Sequence, residues 1–340
     1  MIIDAHTHAL HGPSLDKVIQ AGGDAAKKLI DIEVAWTEKN EIAMYLDPKR
    51  RVESLNKYGI DYQVCTPGGH RLDVNIFPGG AKLRLNMAKA LNDNMARLME
   101  DSKGKLLCVG NVPLKGFNDD GAKEMERAMK LGLKGMNVPS HIDGKPLDAP
   151  EFDGFWAKAM AMDIPVWIHP RDPVRKRDRA YEAEFDLIHN FGWPFETVLA
   201  LARMVFSGFM DRFPRLKIVS HHLGGGMIPF FFGRTMETYM PEKQQRLIGK
   251  TLPRSLYDYF SSFYFDTAVG GSVPAIRCCY EVFGKADRMI FATDAPYGPR
   301  HGEGRLETYP KVIKSLGLSE SENEKIFSGN VKKLLNLPVA

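Results

Sequence analysis

The stretch LKIVSHHLGGGMIPFFFGR, residues 216–234, carries a strand, a glycine turn and the start of a helix in one run. Ile218 and Val219 sit in a short apolar segment that reads as a buried strand ending at His221 and His222. Three glycines break it, and the residues from 229 to 238 then follow a helical pattern. This is one strand-turn-helix unit, and the fold depends on how often the unit recurs.

It recurs along the whole chain. Short apolar runs stand at 1–6, 60–67, 105–113, 133–139, 164–170, 216–222, 262–268 and 288–296. Helical patterns fall between them at 48–58, 81–101, 119–131, 151–162, 195–210, 229–238, 273–283 and 304–315, and GNVKKLLNL closes the chain. Eight strands each followed by a helix, with no break in composition, predict an α/β protein: a single (β/α)8 TIM barrel over residues 1–340. The connections at 9–46, 170–193 and 241–261 are longer than ordinary and are expected to be loops capping a pocket.

Composition narrows the function classes. Of 340 residues, 44% are hydrophobic, enough for a large core. Lys and Arg exceed Asp and Glu by 46 to 42, a balance too even to suggest a nucleic-acid partner. No apolar run approaches the roughly 18 residues that a membrane span needs, because Arg203 interrupts the longest candidate, TVLALARMVFSGFM. Cys65, Cys108, Cys278 and Cys279 include no C-x-x-C pair and are expected to be reduced thiols in a cytoplasmic protein. The first residues already read as a strand, so no cleavable presequence is expected.

The histidines point to chemistry. All ten fall at the ends of the expected strands or in the segments that follow, which is where barrel enzymes place their active sites. In DAHTH, residues 4–8, the strand period of two puts Asp4, His6 and His8 on one face. His6 and His8 on the first strand, His169 ending the fifth and Asp294 ending the eighth can converge on the barrel axis as three imidazoles and a carboxylate. That donor set suits one divalent metal ion, zinc first, with manganese or iron as further occupants. His222, on the strand after His169, is placed to exchange a proton beside the metal, whereas His221 is expected to point to the other face.

The motifs DAHTH, VWIHPRD, FPRLKIVSHHLGGGMIPFFFGR and FATDAPYG together resemble the metal-dependent decarboxylase branch of the amidohydrolase superfamily, the 2-amino-3-carboxymuconate-6-semialdehyde decarboxylase family. The resemblance spans nearly the whole chain. It implies a mononuclear site with His6, His8, His169 and Asp294 as ligands, and His222 with Asp294 as the catalytic pair. It also implies that Arg51 holds the substrate carboxylate, and that Arg234 reaches into a neighbouring subunit, making the enzyme a homodimer or higher homo-oligomer. His70 and His141 are expected on pocket loops as substrate contacts. His189 stands where the family carries a tryptophan over its substrate, a departure that bears on substrate choice. The basic run RDPVRKRDR at 171–179 belongs to the long loop after the fifth strand and is read either as solvated surface or as a means of drawing in a carboxylate-rich substrate.

The reaction expected on this basis is non-oxidative decarboxylation of an unsaturated or hydroxylated aromatic acid, with no organic cofactor. The alternative is hydrolysis or hydration by metal-activated water on a lactone, amide or unsaturated acid. A two-metal hydrolase usually has a bridging lysine on strand four, and Lys134 stands too near the start of LKGMNVP for that role. A barrel kept only for binding would have lost one of the ligand residues, and all are present.

Overall fold

A computed structural model describes residues 1–68, 72–173 and 184–337 of the chain. His70 and most of the basic run at 171–179 lie outside the described residues. The expected strands form as β1 (Ile3–Ala9), β2 (Tyr62–Pro67), β3 (Leu106–Cys108), β4 (Met136–Pro139), β5 (Pro165–His169), β6 (Lys217–Ser220), β7 (Tyr264–Asp266) and β8 (Met289–Ile290). They pair in parallel as β1-β2-β3 and as β4-β5-β6-β7-β8.

Two seams close the barrel. Between β3 and β4, Gly110 donates to the Gly135 carbonyl at 2.9 Å and accepts from the Asn137 amide at 2.8 Å. Between β8 and β1, the Asp294 amide donates to the His6 carbonyl at 3.0 Å and the His8 amide to the Ala295 carbonyl at 2.7 Å. The second seam ties two of the predicted metal-binding segments to each other through their backbones.

Inside the barrel, Ile3, Ala5, Val64, Leu107, Val109, Trp167, Val219, Tyr264 and Ile290 pack as one cluster. Val331 and Leu334 of the closing helix plug its end. The larger core lies between the strands and the surrounding helices. These are α1 (Leu15–Lys39), α2 (Pro48–Tyr58), α3 (Ala81–Asp101), α4 (Asp119–Lys130), α5 (Asp153–Ala161), α6 (Trp193–Phe206), α7 (Met227–Thr238), α8 (Pro241–Ile248), α9 (Val273–Val282), α10 (Glu303–Lys314) and α11 (Asn330–Leu334). Local signals set their ends. Asp47 caps α2 by accepting from Lys49 and Arg50, Pro48 fits the first turn, and Gly59 ends the helix in the left-handed region.

Three expectations change. The segment 9–46 is mostly helix rather than loop: Leu15, Val18, Gly22, Ala26, Ile30, Glu33 and Thr37 form a buried stripe at helical spacing. Gly22 and Gly23 hide this pattern in the sequence. Gly23 kinks the helix at φ 62°, and a side chain at Gly22 would collide with Met87 on α3. The segment 241–261 likewise holds α8 and a short helix, Leu256–Phe260.

The third change is in β1, where Asp4 pairs with Gln63 but Thr7 with Cys65, so β1 carries one extra residue. The bulge inverts the alternation, and Asp4 does not share a face with His6 and His8. Its carboxylate accepts instead from Gln63 Nε2 at 2.9 Å and the Thr293 amide at 2.9 Å.

Candidate active site

The strand ends bring five histidines and two carboxylates together. His6, His8 and His169 are all buried. His6 Nε2 stands 3.2 Å from His8 Nε2, and Asp294 Oδ1 lies 3.3 Å from His8 Nε2 and 3.8 Å from His6 Nε2. The nitrogens of His6, His8 and His169 lie within 4.8 Å of one another, and so do ligand atoms of His6, His222 and Asp294.

The far side of each ring fixes its tautomer. Carbonyl oxygens only accept, so His8 Nδ1 donates to Gly68 O at 2.7 Å, His169 Nδ1 to Pro170 O at 2.8 Å, and His222 Nδ1 to Ala268 O at 2.7 Å. His6 Nδ1 donates to Asp266 Oδ2 at 3.0 Å. Every Nε2 is therefore left with a lone pair toward the common centre.

The electrostatics keep two of these imidazoles, His6 and His169, neutral. Burial, with the field of neighbouring histidines, holds His6 and His169 well below the usual histidine range. Burial pushes Asp294 up, but the field of the Arg305 guanidinium beside it helps hold the carboxylate ionised, well below its usual range. Two facing lone pairs and a carboxylate at these separations repel one another unless a cation lies between them. The donor set fits one divalent metal ion.

Asp266, ending β7, organises the floor of the site. Its Oδ2 accepts from His6 Nδ1 and from His221 Nδ1 at 2.8 Å, while Oδ1 accepts from the backbone amides of His222 at 2.9 Å and Ala268 at 3.0 Å. Burial raises this carboxyl, but the His221 bond and the fields of His221 and His222 leave it below its ordinary value. The sequence reading passed over Asp266, although a lone acidic residue at the C-terminal end of a barrel strand was available as a signal.

The paired histidines also differ from expectation. His221 does not point away from the axis: it is buried, and its ring stacks on His6 with centroids 3.4 Å apart. The chain then turns into the left-handed region at His222 (φ 57°), Leu223 (φ 54°) and the following glycines, which brings His222 to the cavity as well. Asp294 also has a positive φ, 60°. Strained backbone of this kind clusters at functional sites. A Cβ on Gly225 would stand 2.3 Å from the Pro194 carbonyl, so only glycine permits this turn against α6.

Above the floor opens a cavity of about 1300 Å³. Its wall includes Glu33 and Trp36 from α1, His189 and Trp193, Tyr297, and Arg305 from α10. The Tyr297 ring stands 5.2 Å from His8 and 5.3 Å from Trp36. His189 lies edge-on to Trp193 at 4.5 Å and pairs with Asp186 at 3.1 Å.

The remaining predicted contacts lie elsewhere. Arg51 does not line the cavity: it is 1% exposed, its Nε donates to Gln63 Oε1 and its Nη1 to the His8 carbonyl, both at 2.7 Å. The α2 register points it beneath β1, where it braces the strand rather than meeting a ligand. His141 stands near Glu196, with Nε2 3.0 Å from the Asp172 carbonyl, and holds the loop after β5. Arg234 is exposed on α7, away from its own cavity.

A family model described as amidohydrolase matches residues 3–337. The chain belongs to the amidohydrolase family. Among curated relatives, this amidohydrolase is 28% identical to the 2-amino-3-carboxymuconate-6-semialdehyde decarboxylase of Dictyostelium discoideum, over 98% of this chain and 91% of that protein. It is 26% identical to the gamma-resorcylate decarboxylase of a Polaromonas species, over 85% of this chain and 87% of the relative. Its fold matches the 5-carboxyvanillate decarboxylase of Novosphingobium aromaticivorans, solved with manganese and 4-hydroxy-3-methoxy-5-nitrobenzoic acid, with TM-score 0.80 and 23% identity, over 99% of this chain and 96% of that one.

Proposed function

We propose that this amidohydrolase is a metal-dependent, non-oxidative decarboxylase of a hydroxylated aromatic or unsaturated carboxylic acid. His6, His8, His169 and Asp294 hold the ion, and His222 is the acid/base. The observation that carries this reading is the place of His222: its Nδ1 is committed to Ala268 O, its ring lines the cavity, and one of its nitrogens lies within 4.8 Å of ligand atoms of His6 and Asp294. The decarboxylases among the relatives support the reaction class.

The chemistry follows from that arrangement. His222, once its Nε2 lone pair has taken up a proton, delivers that proton to the ring carbon bearing the carboxylate. The bond to the carboxylate carbon then breaks, its electron pair restores the conjugated system, and carbon dioxide leaves. When bound, the divalent ion supplies a Lewis acid that polarises a substrate oxygen. Three imidazoles and one carboxylate suit zinc, and the manganese in the structural neighbours makes that metal the competing assignment; elemental analysis of purified protein decides between them.

We read the enzyme as a cytoplasmic homodimer or higher homo-oligomer. Four free cysteines agree with a reducing compartment, and Phe230 at 73% and Phe231 at 44% exposure leave an apolar face beside Arg234. His189, on the wall beside Trp193, is read as a substrate contact.

The test is mass spectrometry of reaction mixtures across hydroxybenzoates, carboxymuconate semialdehydes, lactones and small amides. Loss of carbon dioxide is expected, with kcat falling on the order of 10²–10⁴-fold in a His222→Ala variant that keeps its metal. Gain of water without carbon dioxide would move the protein to the hydrolases.

A further inference from the structure

Arg51 lies beneath β1, with Nη2 unpartnered but off the cavity wall, so a carboxylate in the cavity needs another partner. The cavity wall carries carboxylates from Glu33, Asp172, Asp186 and Asp294, and among the described residues Arg305 is its one arginine or lysine. Beyond the divalent ion proposed for the floor, an anion entering a space with this balance depends on that cation.

The guanidinium is held but not used up. Nη1 donates to Asp294 Oδ2 at 2.7 Å and lies 3.3 Å from the Thr293 and Asp294 carbonyls. All three contacts fall on one nitrogen, and a guanidinium has five N–H donors on three. Gly298, at φ 111°, lets the chain close on the side chain, because a Cβ there would stand 2.7 Å from Nε. The fork is thereby steadied while the side chain stays 23% exposed on the cavity wall. The Asp294 carboxylate joins it to the floor, since its other oxygen is the one 3.3 Å from His8 Nε2.

We infer that Arg305 anchors the substrate carboxylate, and that the pocket therefore selects aromatic monocarboxylates over both dicarboxylates and neutral phenols. A second carboxylate would face the acidic wall, which carries no second arginine or lysine among the described residues. The inference rests on the decarboxylase reading for its substrate class, but its binding step can be measured without turnover.

The experiment is calorimetric titration of the metal-loaded enzyme with 2-hydroxybenzoate, benzene-1,3-dicarboxylate and phenol, repeated on Arg305→Met and Arg305→Lys, with metal content measured for each. The monocarboxylate should bind the wild type at least about tenfold tighter than the other two. Arg305→Met should weaken it about 100-fold while leaving phenol within about threefold, and Arg305→Lys should recover part of the loss. Equal weakening of 2-hydroxybenzoate and phenol, equally tight binding of the dicarboxylate, or no binding of the monocarboxylate to the wild type overturns the inference. So does loss of metal from both variants, because Arg305 would then act only through Asp294. Decarboxylation that proceeds with Arg305-independent binding sinks the anchor and leaves the reaction class standing. Arg305-dependent binding with no acid ever decarboxylated does the reverse.

Discussion

The floor and the wall of the cavity are built in different ways. On the floor, His6, His8, His169, His221 and His222 each have Nδ1 committed to a backbone carbonyl or to Asp266, and the backbone seam between β1 and β8 ties two of the segments together. The wall comes from excursions: α1 supplies Trp36, the segment after β5 supplies His189 with its side chain 60% exposed, and α10 supplies Arg305. A floor so constrained holds the reacting groups in one geometry before the substrate arrives, which is the condition for electrostatic catalysis. The wall can change without moving the floor, so it is where substrate choice resides.

The largest expected effect comes from removing the ion. Chelation should abolish turnover and lower the melting temperature, by the equivalent of about 4 kcal/mol if the ion is present at a thousandfold excess over its dissociation constant. Re-addition should restore both. A melting temperature indifferent to chelation would mean that the histidine cluster is held by its hydrogen bonds alone.

Asp266→Asn tests the floor from behind. The amide cannot accept from His6, His221 and two backbone amides together, so metal affinity or kcat should fall on the order of 10–100-fold. Retained activity would show that the floor needs no support beneath it. On the wall, Trp36→Ala should raise KM by up to about tenfold, the worth of one aromatic contact, with kcat little changed. A fall in kcat instead would erase the distinction between the two regions.

The same division explains what the sequence revealed. Strand-end histidines follow the barrel rhythm, so His6, His8, His169 and Asp294 could be brought together from their spacing and position. Where the backbone leaves that rhythm, the reading failed: the bulge in β1 turned Asp4 away, and the left-handed turn at His222 let both His221 and His222 reach the axis. Asp266 was legible and overlooked. Arg305 was not legible, since a cation in the first turn of a surface helix has no period that places it over a cavity. Arg51 misled because a motif fixes a position in the chain, whereas burial decides what its side chain meets.

The smallest effect concerns how the wall is fastened. Glu303, at the start of α10, accepts from Ser54 Oγ at 2.7 Å, Lys57 Nζ at 2.7 Å and Tyr58 Oη at 2.8 Å, tying the helix that bears Arg305 to α2. Burial pushes its carboxyl up, but the hydrogen bonds from Lys57, Ser54 and Tyr58 win and bring it down to about 2 from an ordinary 4.5. The folded value is the lower one, so ionised Glu303 stabilises the fold above about pH 4.5, and that contribution is lost as the pH falls toward 2. Lys57 is 61% exposed, so solvent screens the pair and the contribution is about 1 kcal/mol. Glu303→Gln should therefore lower the melting temperature at pH 7 by about 2 °C, with the difference from wild type shrinking as the pH drops below 4.5. A difference that stays constant with pH would mean that shape rather than charge holds α10 in place. A fall in kcat would mean that the floor depends on this fastening, because none of the floor's hydrogen bonds runs through Glu303.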